Sequence, residues 1–236
     1  MSANLKTQSR NETCMEVTMA SNNIQVSRSM KRVLVDAGKI VLHILGILLV
    51  AYMAFFCYVA VHEWIGHILA DEFVFSMQGT TLARFEVIVQ WFSVSLQDGR
   101  WSVGLVPFRI GGKVVSAIAA DPITLTDWEI GFGNFMGSGI TALISLVALT
   151  VLNLRKDLPR FPWFAGFFSL YSVIFDQILL TFGNPADALD GAVLMGADPL
   201  LFKIIVIGLV LLQGLLLVRI AIRYRQGRQA RTVVSK

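Results

Sequence analysis

The chain has 236 residues, of which 55% are hydrophobic and only 15% are charged, and its mean hydropathy is +0.66. These proportions exclude an ordinary soluble domain and indicate a polytopic membrane protein. The net charge of +4 comes from basic residues beside apolar runs, which favours contact with the lipid bilayer and not with nucleic acid. The only cysteines, Cys14 and Cys57, provide neither a disulfide framework nor a cysteine metal cluster.

The chain divides by composition into a polar tail, an apolar body and a basic end. Residues 1–29 are rich in Ser, Asn and Thr and predict a disordered tail, 30–225 a membrane domain, and 226–236 a basic tail. Four apolar segments are long enough to cross a hydrocarbon core of ~30 Å. They cover about residues 40–70, 135–154, 161–182 and 200–222. We therefore predict an α-helical polytopic membrane protein with about four transmembrane helices.

Basic residues mark one side of the predicted membrane domain. They precede the first span, link the second to the third, and follow the fourth. Because cytoplasmic connections carry an excess of Lys and Arg, the pattern predicts a multi-pass protein of the plasma membrane with both termini in the cytoplasm. The connections 71–134 and 183–199 then face outward.

The outward connection 71–134 predicts strands. Residues Phe85 to Ser95 are rich in β-formers, Asp98-Gly99 is a strong turn signal, and Trp101 to Val106 supplies a returning strand. We predict a small β-hairpin between the first and second spans, placed to gate a cavity or to hold an extended peptide by strand addition.

The end of the first span carries His62-Glu63-Trp64-Ile65-Gly66-His67. It resembles the zincin signature HExxH, in which two histidines bind zinc and the glutamate is the general base, but it contains one extra residue. In a regular α-helix a separation of five places side chains about 140° apart. Metal binding therefore requires a local π-bulge, for which Gly66 is suited. The alternative is that His62 and Glu63 mark the interfacial end of the helix and that His67 reaches out to water.

Acidic residues near the third and fourth spans are candidate partners. Asp187 and Asp190 would share one face of a short outward helix, although for Asp187 a favourable interaction with the helix dipole is the stronger interpretation. Asp176 lies inside the third span. It is a possible metal ligand, a second-shell partner of an imidazole, or a buried residue paired for packing.

Pro185 and Leu189-Asp190-Gly191 fit the pattern PxxxLDG. Together with the histidine motif, they resemble the site-2 protease family of intramembrane zinc metalloproteases. The resemblance covers about residues 40–196 and implies bound Zn²⁺, Asp190 as third ligand and Glu63 as catalytic base. Phe182 stands where the family has an asparagine. The spacing HExxGH is itself similar to that of the otherwise dissimilar dipeptidyl peptidase III enzymes, which bind zinc with it.

The predicted function is that of a zinc metalloendopeptidase of site-2 protease type, hydrolysing a membrane-protein or peptide substrate through zinc-activated water. The alternative is a noncatalytic membrane subunit or pseudoprotease that binds a membrane-protein partner, since the histidine spacing and the missing asparagine depart from the family pattern. A cytochrome or di-iron oxidase is disfavoured because the chain has only three histidines.

Overall fold

The computed structural model describes residues 33–158, 162–183 and 188–234. The predicted tail 1–29 lies outside these residues. The chain divides into two compact units, Met1–Leu49 and Val50–Lys236. In the first unit, side chains 33–49 are exposed and mostly apolar, as on a helix that faces lipid. The strands and the candidate site belong to the second unit.

Four helices are long and apolar enough to cross a membrane. The helices in chain order are α1 (Val33–Met77), α2 (Asp127–Leu154), α3 (Trp163–Gly183), the short α4 (Ala188–Leu194) and α5 (Pro199–Val234). They confirm the helical fold class and the four predicted apolar segments. Helices α1, α2 and α5 start earlier than their predicted spans, because backbone hydrogen bonding continues beyond the most apolar stretch of each helix.

The start of α2 shows how sequence fixes a helix boundary. The Thr126 side chain accepts a hydrogen bond from the Glu129 backbone N–H at 3.3 Å, and the Glu129 carboxylate accepts one from the Thr126 backbone N–H at 2.8 Å. This capping box satisfies two backbone donors at the helix start. The helix consequently begins eight residues before the predicted span.

Four antiparallel strands connect α1 to α2. They are β1 (Leu82–Val89), β2 (Phe92–Gln97), β3 (Arg100–Leu105) and β4 (Gly112–Ala119), in the spatial order β3-β2-β1-β4. The predicted hairpin at Asp98-Gly99 is confirmed, with φ of 50° and 73° as a two-residue type I′ turn requires. The β-rich segment Phe85 to Ser95 contributes to two strands, β1 and β2, because a tight turn at Gln90, with φ of 52°, divides it.

The sheet packs against the part of α1 that precedes the histidine motif. Phe85 and Val87 of β1 are buried in one cluster with Tyr58 and Val59. At the β1–β2 turn, Trp91 Nε1 donates a hydrogen bond to the Tyr52 hydroxyl at 3.1 Å. The first strand is therefore fixed along α1, and β4, an edge strand, begins beside Glu63.

Buried polar contacts join α2 to α5. Ser145 Oγ donates to Gln213 Oε1 at 2.6 Å, and both side chains are fully buried. At the end of α2, the Arg223 guanidinium donates to the carbonyl oxygens of Leu152 and Asn153 at 3.1 and 3.0 Å. These hydrogen bonds satisfy buried polar groups and tie the two helices together.

Candidate metal centre

The helix distortion required by the five-residue spacing is present. Residues Val61–Ile68 form a π-helix within α1. Its wider turn places residues five apart on one face, so His62 and His67 converge instead of pointing about 140° apart. His62 and Glu63 are buried on this segment, whereas Trp64 and Ile65 are exposed on its other side.

The two imidazoles meet through their Nε2 atoms. These nitrogens are 3.3 Å apart, with the rings inclined at 74° and their centroids separated by 5.0 Å. In a tetrahedral site with Zn–N bonds of 2.0–2.1 Å, two nitrogen ligands are about 3.3–3.4 Å apart. The separation of the histidine nitrogens therefore matches one edge of a zinc tetrahedron.

The other nitrogen of each ring has an oxygen partner. His67 Nδ1 lies 2.8 Å from the Gly133 carbonyl oxygen, and His62 Nδ1 lies 3.0 Å from Asp176 Oδ1. A carbonyl oxygen accepts and never donates, so in a neutral His67 ring the hydrogen bond to Gly133 places the proton on Nδ1. Nε2 of that ring then carries a lone pair and faces His62 Nε2 at 3.3 Å. Two imidazole nitrogens at this separation would supply two of the ligands that a zinc site requires.

Asp176 is fully buried and receives contacts from several elements. Besides His62, its carboxylate accepts hydrogen bonds from the Tyr58 hydroxyl at 2.6 Å and from the Thr141 hydroxyl. A second π-helix, Ser172–Gly183, carries it into the bundle. Asp176 approaches the Nδ1 side of His62 and not Nε2, which is the position of an orienting partner, and its hydrogen bonds to Tyr58 and Thr141 are those of a residue paired within the packed bundle.

Two glycines allow α1 and α2 to touch at the histidine pair. A Cβ atom on Gly66 would overlap Gly137 Cα, and a Cβ on Gly137 would overlap His67 Nε2 and lie 2.8 Å from His62 Nε2. No larger residue fits at either position without moving the helices or the rings. Gly137 and the Gly133 carbonyl of α2 therefore lie directly against the histidine rings.

Glu63 lies between two cavities. One, of about 250 Å³, is mostly apolar and borders His62, and the other, of about 350 Å³, is mostly polar and borders His67. Gly112, at the start of β4, also lines both, and a Cβ there would lie 2.8 Å from Glu63 Oε1. The carboxylate thus stands beside the histidine pair, with space on either side of it.

The structure does not group a third predicted ligand with the histidines. Asp190 is exposed on α4, whose Gly191 is packed so tightly on α2 that a Cβ would lie 2.6 Å from Phe135 N. Asp187 lies outside the described residues. Within residues 33–158, 162–183 and 188–234, no three His, Cys, Asp or Glu side chains are arranged to hold a metal ion.

Sequence reasoning missed Asp71, which lines the polar cavity together with Glu63 and His67. Its signal was available: it follows His67 by four residues, and residues four apart share a helix face. It missed Thr141 as well, for which only the structure supplies the contact to Asp176.

Comparison of the chain with protein-family models, with curated proteins and with solved structures gives no match. The function is therefore argued from the arrangement of these side chains.

Proposed function

We propose that the protein is an intramembrane zinc metalloprotease of site-2 protease type that hydrolyses a peptide bond of a membrane-associated substrate. The observation that carries the proposal is the 3.3 Å separation of His62 Nε2 and His67 Nε2 on a π-helix that also bears Glu63. A pair of imidazoles alone would suit several roles. The neighbouring buried carboxylate, in a site open to two cavities, favours hydrolysis.

His62 and His67 would hold the zinc, which supplies Lewis-acid polarisation of a carbonyl and activation of water when bound. Other residues of the chain orient the histidines and transfer protons. The hydrogen bond to the Gly133 carbonyl would keep the proton of the His67 ring on Nδ1, and Asp176 lies beside Nδ1 of His62, so that both rings would bind through Nε2. Glu63 accepts a proton from water and returns it to the leaving amine.

Catalytic zinc sites usually have three protein ligands, so a third ligand is needed beside the two histidines. The resemblance to site-2 proteases proposes Asp190. Asp71 is a second candidate because it lines the cavity shared by Glu63 and His67. Replacement of each by asparagine separates them, since loss of the true ligand lowers zinc affinity and loss of the other leaves it unchanged.

The first prediction concerns Glu63. In full-length protein purified with zinc, Glu63→Gln should lower cleavage of quenched fluorescent casein by about 10²–10⁴-fold, because it removes the general base. Zinc content, measured by mass spectrometry, should stay at the wild-type value since the histidines are intact. Glu86→Gln is the matched control and should keep full activity, because Glu86 lies on β1 and accepts a hydrogen bond from the Ser93 hydroxyl.

The same measurements separate the alternative function. Wild-type protein that holds zinc but cleaves nothing would favour a noncatalytic membrane subunit that binds a membrane-protein partner. Wild-type protein that holds no zinc under saturating metal would refute the metal centre.

A further inference from the structure

The two cavities at Glu63 differ in chemistry. Phe55, Val59, Ile110, Phe175, Leu179 and Leu180 contribute apolar side chains to the smaller one. Asp71, Lys113 and Asn134 contribute charged and amide groups to the larger one. The first suits side chains that come from a hydrocarbon environment, and the second suits a hydrated segment.

The histidine pair lies at the boundary between them. His62 borders only the apolar cavity and His67 only the polar one, while Glu63 and Gly112 border both. The two Nε2 atoms are only 3.3 Å apart. A peptide bond placed beside both nitrogens therefore has the residues on one side of it next to the apolar cavity and those on the other side next to the polar cavity. Gly112 keeps the junction open, because a side chain there would overlap Glu63 and Val59.

We propose that the site selects extended peptides at an apolar-to-polar boundary. A large apolar side chain on one flank of the labile bond enters the cavity at Leu179, and hydrophilic residues on the other flank lie in the cavity at Asp71 and Lys113. The inference rests on the proposed function and defines its substrate class. At about 250 Å³ the apolar cavity is smaller than a typical ligand pocket, so it accommodates one or two side chains and not a packed helix.

Leu179 is the residue through which this selection is tested. It is 46% exposed and lines the apolar cavity, so its replacement changes the space without emptying a core. Leu179→Trp should fill the cavity, and Leu179→Ala should enlarge it. Leu215→Trp is the matched control, because Leu215 is 70% exposed on α5 and borders neither cavity.

The experiment measures binding of fluorescent peptides to full-length Glu63→Gln protein in lipid nanodiscs, with and without zinc. Three peptides of equal length carry an apolar block before a polar block, the reverse order, or polar residues only. At least one block peptide should bind about 10-fold or more tightly than the wholly polar one, because even one methylene in an apolar pocket is worth about 10–200-fold. Leu179→Trp should remove that preference, and Leu215→Trp should keep it.

The outcomes distinguish the inference from the function on which it rests. Equal binding of all three peptides, or a preference that Leu179→Trp leaves intact, overturns the inference even if casein is cleaved. A block preference that depends on Leu179 in a protein that neither binds zinc nor cleaves casein supports the two-cavity site and refutes only the proteolytic function. If Leu179→Trp fails to fold, the larger cavity of Leu179→Ala should shift the preference toward larger aromatic side chains, and an unchanged preference overturns the inference.

Discussion

The orientations of the His62 and His67 rings are set by contacts on the side of each ring opposite Nε2. Each ring uses Nδ1 to contact a fixed oxygen, one from the Asp176 carboxylate and one from the Gly133 carbonyl. Both oxygens belong to other helices, so the ring orientations depend on the assembled bundle and not on α1 alone. An isolated α1 peptide would lack these constraints.

The second prediction follows from the Asp176 contacts. Asp176→Asn removes the charge and the symmetric acceptor beside His62 while keeping the side-chain size. Zinc affinity should fall by about 10–100-fold, as is typical when an orienting partner of a ligand is lost. Competition with a fluorescent chelator measures this change. Asp98→Asn is the control, since asparagine suits the turn that Asp98 occupies. Unchanged affinity in Asp176→Asn would show that the ring does not depend on this carboxylate.

At the scale of elements, the π-helix resolves the contradiction between the motif and its spacing. Composition and spacing were enough to predict the apolar helices, the Asp98-Gly99 hairpin and the need for a bulge near Gly66. Composition and spacing were not enough to assign the roles of Asp176 and Gly137, because these roles depend on which faces of separate helices meet. A carboxylate in an apolar run has several interpretations until the ring opposite it is known.

The third prediction concerns the length of the π segment. Deleting exposed Ile65 reduces the histidine separation to four, which brings both rings onto one face of an ordinary α-helix. Zinc affinity should stay within about tenfold of wild type, equivalent to about 1.4 kcal/mol. Inserting an alanine between Ile65 and Gly66 gives a separation of six, which neither helix type converges, and should abolish binding.

Isothermal titration of the purified length variants with zinc provides the measurement, and circular dichroism controls for helix content. Retained binding in the insertion variant would contradict the role assigned to the π turn.

The described part of the chain has four helices of membrane-spanning length and a sheet packed against the first of them. The distribution of basic residues predicts cytoplasmic termini, which places the segment before α5 outside and the α2–α3 link inside. This orientation would bring the polar cavity to the outer side of the membrane.

The fourth prediction tests that orientation. In a chain with Cys14 and Cys57 replaced by serine, Ala197→Cys should react with an impermeant maleimide on intact cells, whereas Asp157→Cys should react only after permeabilisation. Both positions are exposed, so access to the reagent depends on the membrane. Labelling of residue 157 and not 197 on intact cells would reverse the predicted topology.

The contact between Gly66 and Gly137 has a thermodynamic consequence. The glycines bring two helix backbones together at the place where the histidine nitrogens converge. If the association of the two helices favours metal binding by some free energy, then metal binding favours helix association by the same amount. If the histidines bind zinc as proposed, chelation should loosen the packing of α1 on α2, and any tension that separates these helices should weaken metal affinity without touching a ligand.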